Sequence, residues 1–176
     1  MGENAVDFKN MPIADAAAAF AAGKVEAVAV WQPWIAQLER ESEAKVLFSS
    51  KEIPGLVPDQ LVFQESVVKE RADEIQKIVA TWFDVVDFIK THEDEAVAIM
   101  AKVVAQKPQD YKAFLPGTKL FDLDANLEAF QTGSSDRFLA FSGKKIAAFL
   151  QAKDIIKTIP DFAGALDPQF VKALKK

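Results

Sequence analysis

The apolar residues of this 176-residue chain change their period near Ser66: before it they stand in short β-branched runs, and after it they recur at helical spacing. Val6 to Asn10 reads as a short strand. Met11-Pro12 and the Ala-rich run Ile13 to Ala22 read as a helix opened by Pro12 and ended by Gly23, with Ile13, Ala17 and Phe20 on one face. Val25 to Trp31 is dense in β-branched residues and alternates poorly, the pattern of a strand buried on both sides. Together these elements predict a βαβ unit. Pro33 then opens an amphipathic helix bearing Trp34, Ile35 and Leu38. Lys45 to Ser49 and Gln60 to Gln64 read as two further strands, separated by a turn that Pro54, Gly55 and Pro58 enforce.

Beyond Ser66, itself a candidate cap for Val67 to Arg71, the helix-like segments follow one another. The longest carries Ala72, Ile75, Val79, Trp82, Phe83, Val86 and Ile89 as a broad apolar stripe. Such a stripe needs a partner, because burying each large side chain contributes roughly 1.5–3 kcal/mol. Glu93 to Ala105, Asp110 to Leu115, Phe121 to Phe130 and the aromatic-rich run Phe138 to Leu150 follow. A short terminal helix has Asp167 as its expected cap. The order is βαβ, then αββ, then helices: an α/β fold with a helix-rich second half. Its apolar helical faces exceed the sheet available to cover them. That surplus suggests an incomplete domain that self-associates or pairs with a missing half.

Composition removes several function classes. Lys and Arg total 21 against 26 Asp and Glu, so no positive field draws nucleic acid, which is not an expected partner. The chain has no cysteine and one histidine, His92. Disulfides, Cys-based zinc sites, His-rich metal sites and a Ser-His-Asp triad are therefore excluded for a single copy. Glu93-Asp94-Glu95 and the pair Asp122 and Asp124 read as helix starts and solvated faces, and His92 as a structural or exposed residue. Gly133-Ser134-Ser135 and Ser142-Gly143-Lys144-Lys145 lack the spacing of a phosphate loop. No catalytic residue, metal or cofactor is expected, and the chain does not read as an enzyme. No apolar run approaches the roughly 20 residues of a membrane span. Met1-Gly2-Glu3-Asn4 lacks the basic start and apolar run of a secretory signal, so the expectation is that this chain carries none.

Candidate ligand contacts cluster where expected strands meet helices. Trp31 and Gln32 of Trp31-Gln32-Pro33-Trp34 stand at the carboxyl end of the expected buried strand, where open α/β sheets bind ligands. Trp31 offers a flat apolar wall with an N–H donor, and Gln32 offers a donor and an acceptor. Equally, both tryptophans are candidate core residues, with Gln32 capping a turn. Asn10 and Met11 precede a helix N-terminus able to receive an anionic group, or form an ordinary turn. Asp59 is placed to accept from a cationic or hydroxylated ligand, or is simply solvated.

The segment Val6-Asp7-Phe8-Lys9-Asn10-Met11-Pro12, the helix ending Phe20-Ala21-Ala22-Gly23-Lys24-Val25-Glu26-Ala27, and Val30-Trp31-Gln32-Pro33-Trp34 resemble solute-binding proteins of ABC transporters. The group is the nitrate, sulfonate, taurine and bicarbonate type, related to thiamine-precursor binding proteins. Glu26 stands where that group usually has Asp. The resemblance continues through Leu56-Val57-Pro58-Asp59-Gln60, the helices after Ser66, Ile146 to Leu150, Asp154-Ile155-Ile156 and Asp167 to Val171. It implies a periplasmic-binding-protein-like (type 2) fold whose two lobes close on a small solute and present it to an ABC permease. This chain resembles the C-terminal half: residues 1–40 as the end of the second lobe, 41–65 as hinge and crossover strands, and 66–176 as the helical part of the first. The implied solute is a small organic or inorganic anion or a thiamine-precursor-like molecule, and the implied location is the periplasm or extracytoplasmic surface. By the resemblance Trp31 and Gln32 face the cleft, with Asn10, Met11 and Asp59 as weaker correspondences. Thiamine-precursor synthesis in related proteins uses His and Cys residues that this chain scarcely matches.

Overall fold

The computed structural model describes residues 5–175; Met1 to Asn4, discussed above as a possible signal, lie outside them. The described residues form ten α-helices: α1 (Ile13–Ala21), α2 (Trp34–Glu41), α3 (Glu65–Glu70), α4 (Ala72–Thr91), α5 (Glu93–Val103), α6 (Pro108–Phe114), α7 (Leu123–Ala129), α8 (Leu139–Ala152), α9 (Phe162–Ala165) and α10 (Gln169–Lys172).

Helix boundaries follow local chemistry. After α1, Gly23 takes φ +67°. Its N–H donates to the Phe20 carbonyl and that of Lys24 to the Ala19 carbonyl, both at 2.9 Å. This pair of bonds is a Schellman closure, which requires a residue tolerant of the left-handed region. Asp122 caps α7, its Oδ1 accepting from the Ala125 N–H at 3.0 Å. Asp167 accepts from the Gln169 N–H at 3.0 Å and serves the start of α10. Ser66 is not a cap; α3 begins one residue earlier, with Gln64 at the cap position and no side-chain bond.

The core lies around α4, which packs against α3, α5 and α10, while α5 packs on α6 and α10 on α7. Ile75 and Val86 of α4 are almost fully buried, as are Ala96, Val97 and Ala101 of α5, and Val171 of α10 is buried with them. Gln76 Nε2 donates to the Phe170 carbonyl at 3.1 Å and ties α4 to the last helix. Elsewhere α1 packs on α2, and α8 on α9. At the second of these contacts, a Cβ on Gly143 would come within 2.5 Å of the Phe162 ring.

The α/β, periplasmic-binding-protein-like fold expected from the sequence is overturned: among the described residues there is no β-strand. Val6 to Asn10, Val25 to Trp31, Lys45 to Ser49 and Gln60 to Gln64 are irregular or extended chain. A strand exists only where a neighbour accepts and donates its backbone hydrogen bonds. Among the described residues, no backbone–backbone hydrogen bond engages residues 25–30, 43–48 or 57–63. Apolar residues of the last two runs stand in the solvent instead, with Val46, Leu47, Phe48, Leu61 and Val62 all exposed, whereas Val25, Val28 and Val30 are half-buried. The turn between the last two runs is nonetheless anchored. Gly55 takes φ +92°, and a Cβ there would sit 2.1 Å from the Asp136 carbonyl oxygen.

The apolar stripe of α4 is only partly covered: Ile75 and Val86 are buried, whereas Trp82 is exposed beside Ile78 and Val85. Ile75→Ala is expected to lower unfolding free energy by roughly 2–5 kcal/mol. Ile78→Ala, on the open side of the same helix, is expected to change it by no more than about 0.5 kcal/mol. Denaturant titration of both variants measures the contrast.

Candidate functional site

Trp31 and Gln32 form the entrance to α2. The Trp31 carbonyl accepts from the Trp34 N–H at 2.9 Å and the Ile35 N–H at 3.4 Å, and Gln32 Oε1 accepts from the Ala36 N–H at 3.3 Å. The first-turn donors of α2 are thus taken up locally, leaving little for an anion at this helix end. The peptide bond between Gln32 and Pro33 is cis. The Gln32 side chain lies against the turn Leu115–Gly117, with its Cγ and Nε2 each 3.4 Å from where a Cβ on Gly117 would stand. Nε2 has no hydrogen-bond partner among the described residues. Trp31 is 65% exposed, which answers its position in the fold: it is not a core residue. Trp34 is half-buried at the start of α2.

The other sequence-derived candidates do not join this pair through any hydrogen bond among the described residues. Asn10 is exposed and Met11 half-buried ahead of α1, where Pro12 occupies the cap position and no side chain caps the helix. Asp15 already places a negative charge in that first turn. Asp59 is exposed in the irregular run before α3. Of the candidates, the fold brings Gln32 against Gly117, with Trp31 its exposed neighbour in the chain. Gly117 carried no signal in the sequence, because its partner lies 85 positions away and only tertiary structure brings the two together.

A concavity of about 580 Å³, away from Trp31 and Gln32, was also not foreseen. Asp84, Asp87 and Lys90 of α4 face Asp122, Leu123 and Asp124 at the start of α7. Lys90 Nζ and Asp122 Oδ2 are 3.1 Å apart. The Asp122 carboxyl is held below its usual range, first by the Ala125 backbone N–H it accepts and then by the Lys90 ammonium. With one lysine among four aspartates, the field here disfavours an anion. His92 stacks on Phe88, with ring centroids 4.7 Å apart, and its Nδ1 lies 2.9 Å from Thr91 Oγ1. Beside it, Glu93 and Asp94 hold Lys112 at 2.8 and 2.7 Å. The Asp94 carboxyl is lowered and the Lys112 ammonium raised by their hydrogen bond.

A sequence profile of the NMT1-like family matches residues 3–105, more than half of the chain. The chain belongs to the NMT1-like family. That family is part of the nitrate, sulfonate, taurine and thiamine-precursor-binding superfamily. NMT1-like proteins are extracytoplasmic solute-binding proteins of ABC transporters, so a small-molecule solute and a permease are the partners the family implies. The matched span contains Asn10, Met11, Trp31, Gln32 and Asp59; Gly117 and α6 to α10 lie outside it. No curated protein and no solved structure matches the chain. Among the described residues, no helix is long and apolar enough to cross a membrane.

Asp122 supplies a pH test of the geometry. Its carboxyl is depressed in the folded chain, so its contribution is present above the unfolded value of about 3.9 and is lost as pH falls through the folded one. Asp122→Asn is expected to lose stability at pH 7 and to flatten the decline that sets in as pH falls below about 4. Denaturant midpoints of both proteins across that range report it.

Proposed function

We propose that this NMT1-like chain is the periplasmic solute-capturing component of an ABC importer, and that Trp31 and Gln32 are its principal solute contacts. The observation that carries the reading is the exposed indole of Trp31 followed in the chain by a Gln32 amide whose N–H donors have no hydrogen-bond partner among the described residues. A flat solute stacks on the first and accepts from the second.

Of the solute classes associated with the family, this chemistry favours a thiamine-precursor-like heteroaromatic molecule over a small inorganic anion. The N–H groups opening α2 are engaged by Trp31 and Gln32 themselves, which leaves little there for an anion. Ring nitrogens of a heteroaromatic solute would take the Gln32 amide donors. Asn10, Met11 and Asp59 are secondary contacts in this reading. Capture needs no bond to be made or broken, so no catalytic group is required.

Calorimetric titration with an aminopyrimidine, taurine and nitrate tests the proposal. The aminopyrimidine is expected to bind, and Trp31→Ala to weaken it about tenfold, equivalent to about 1.4 kcal/mol. Unfolding free energy in that variant should stay within about 0.5 kcal/mol of the parent. Equal losses of binding and stability would assign Trp31 to the core, and nitrate binding indifferent to Trp31→Ala would move the site elsewhere.

A further inference from the structure

Oxidisable sulfur in this chain is confined to methionine, of which there are three, since cysteine is absent. Met1 lies outside the described residues, and Met11 stands half-buried ahead of α1. Met100 has a hydrogen-bond donor at its sulfur: the Tyr111 hydroxyl donates to Sδ at 3.6 Å. Met100 lies on α5 and Tyr111 on α6, two helices that pack directly on each other. Next to Tyr111, Lys112 pairs with Glu93 and Asp94 at the start of α5, so α6 is held to both halves of that helix. Met100 is itself only half-buried, which leaves its side chain open to a small oxidant.

We propose that Met100 is a reversible oxidation site, whose sulfoxide oxygen accepts from the Tyr111 hydroxyl and strengthens the link between α5 and α6. A thioether sulfur is a weak acceptor, whereas its sulfoxide carries a polar oxygen on the same atom. In the step, a lone pair of the Met100 sulfur attacks one oxygen of a peroxide. The O–O bond breaks, an S–O bond forms, and the other oxygen takes up the proton and leaves as water. Sulfur loses two electrons and the peroxide gains them. A methionine packed only among apolar groups is disrupted by this change, because the new oxygen finds no donor. At Met100 the donor is already in place. Reduction by a methionine sulfoxide reductase restores the thioether. Because α6 runs into the turn Leu115–Gly117, the same contact seats the turn against which Gln32 lies. The oxidation site is independent of the solute reading and is read out by sulfur chemistry and unfolding, not by binding.

Treatment of the full chain with hydrogen peroxide, followed by peptide mapping, should place a sulfoxide at Met100 while circular dichroism still reports the folded helices. Urea unfolding then compares oxidised with reduced protein. The oxidised parent is expected to unfold at a higher midpoint, by on the order of 0.5 M. Tyr111→Phe keeps the ring and removes the donor, so its oxidation should lower the midpoint by a similar amount. Met100→Leu should show no oxidation-dependent shift, which separates Met100 from Met1 and Met11. Each shift is measured within one variant, so a change in starting stability leaves it readable. Reductase treatment should return the oxidised parent to its original midpoint. A lower midpoint in the oxidised parent, an equal shift in the parent and Tyr111→Phe, a shift that survives in Met100→Leu, or a folded chain in which Met100 resists peroxide would overturn the proposal.

Discussion

The structure depends on the packing of α4 against α5 and α10. Ile75 and Val86 are nearly inaccessible, in a core to which α5 contributes the buried Ala96, Val97 and Ala101 and α10 contributes Val171. Small partners allow close helix approach, and each large side chain so enclosed contributes roughly 1.5–3 kcal/mol. The bond from Gln76 to the Phe170 carbonyl fixes the terminal helix to the same scaffold. The acidic concavity between α4 and α7 is a consequence of this arrangement, since α10 touches both helices.

Residues 5–64 obey a different constraint. Their apolar residues are β-branched and aromatic, chemistry suited to a pleated surface, but an extended backbone remains solvated until another strand lies beside it. Within this part of the chain α1 and α2 form, closed by Gly23 and opened by Gln32, and the runs between them stay unpaired. The same constraint positions the candidate site. Trp31 ends an unpaired run, so its indole remains exposed instead of being covered by neighbouring strands.

Helices were legible in the sequence where a local rule sufficed. Pro12, Gly23, Asp122 and Asp167 each act within a few residues of themselves, and the boundaries they mark stand close to those observed. Strands were misread because β-branched density at Val25 to Trp31 or Lys45 to Ser49 reports suitability for a sheet, while the sheet itself requires a distant partner that no local pattern encodes. Trp31 and Gln32 could be singled out from their side-chain chemistry and from the family resemblance, and the family profile supports that resemblance. Gly117 and the Asp84, Asp87 and Asp122 concavity depend on residues far apart in the chain, and nothing at any one of those positions announces its neighbours.

Amide hydrogen exchange on the dilute, monomeric chain tests the central claim most directly: a helical scaffold built on α4, carrying extended runs with unpaired backbones. Amides in the middle of α4 and α5 should be the slowest to exchange, and those of residues 25–30, 43–48 and 57–63 should exchange at close to the rate of unstructured chain. Strong protection of those three runs in the monomer would mean that they are paired as strands, and would contradict the account.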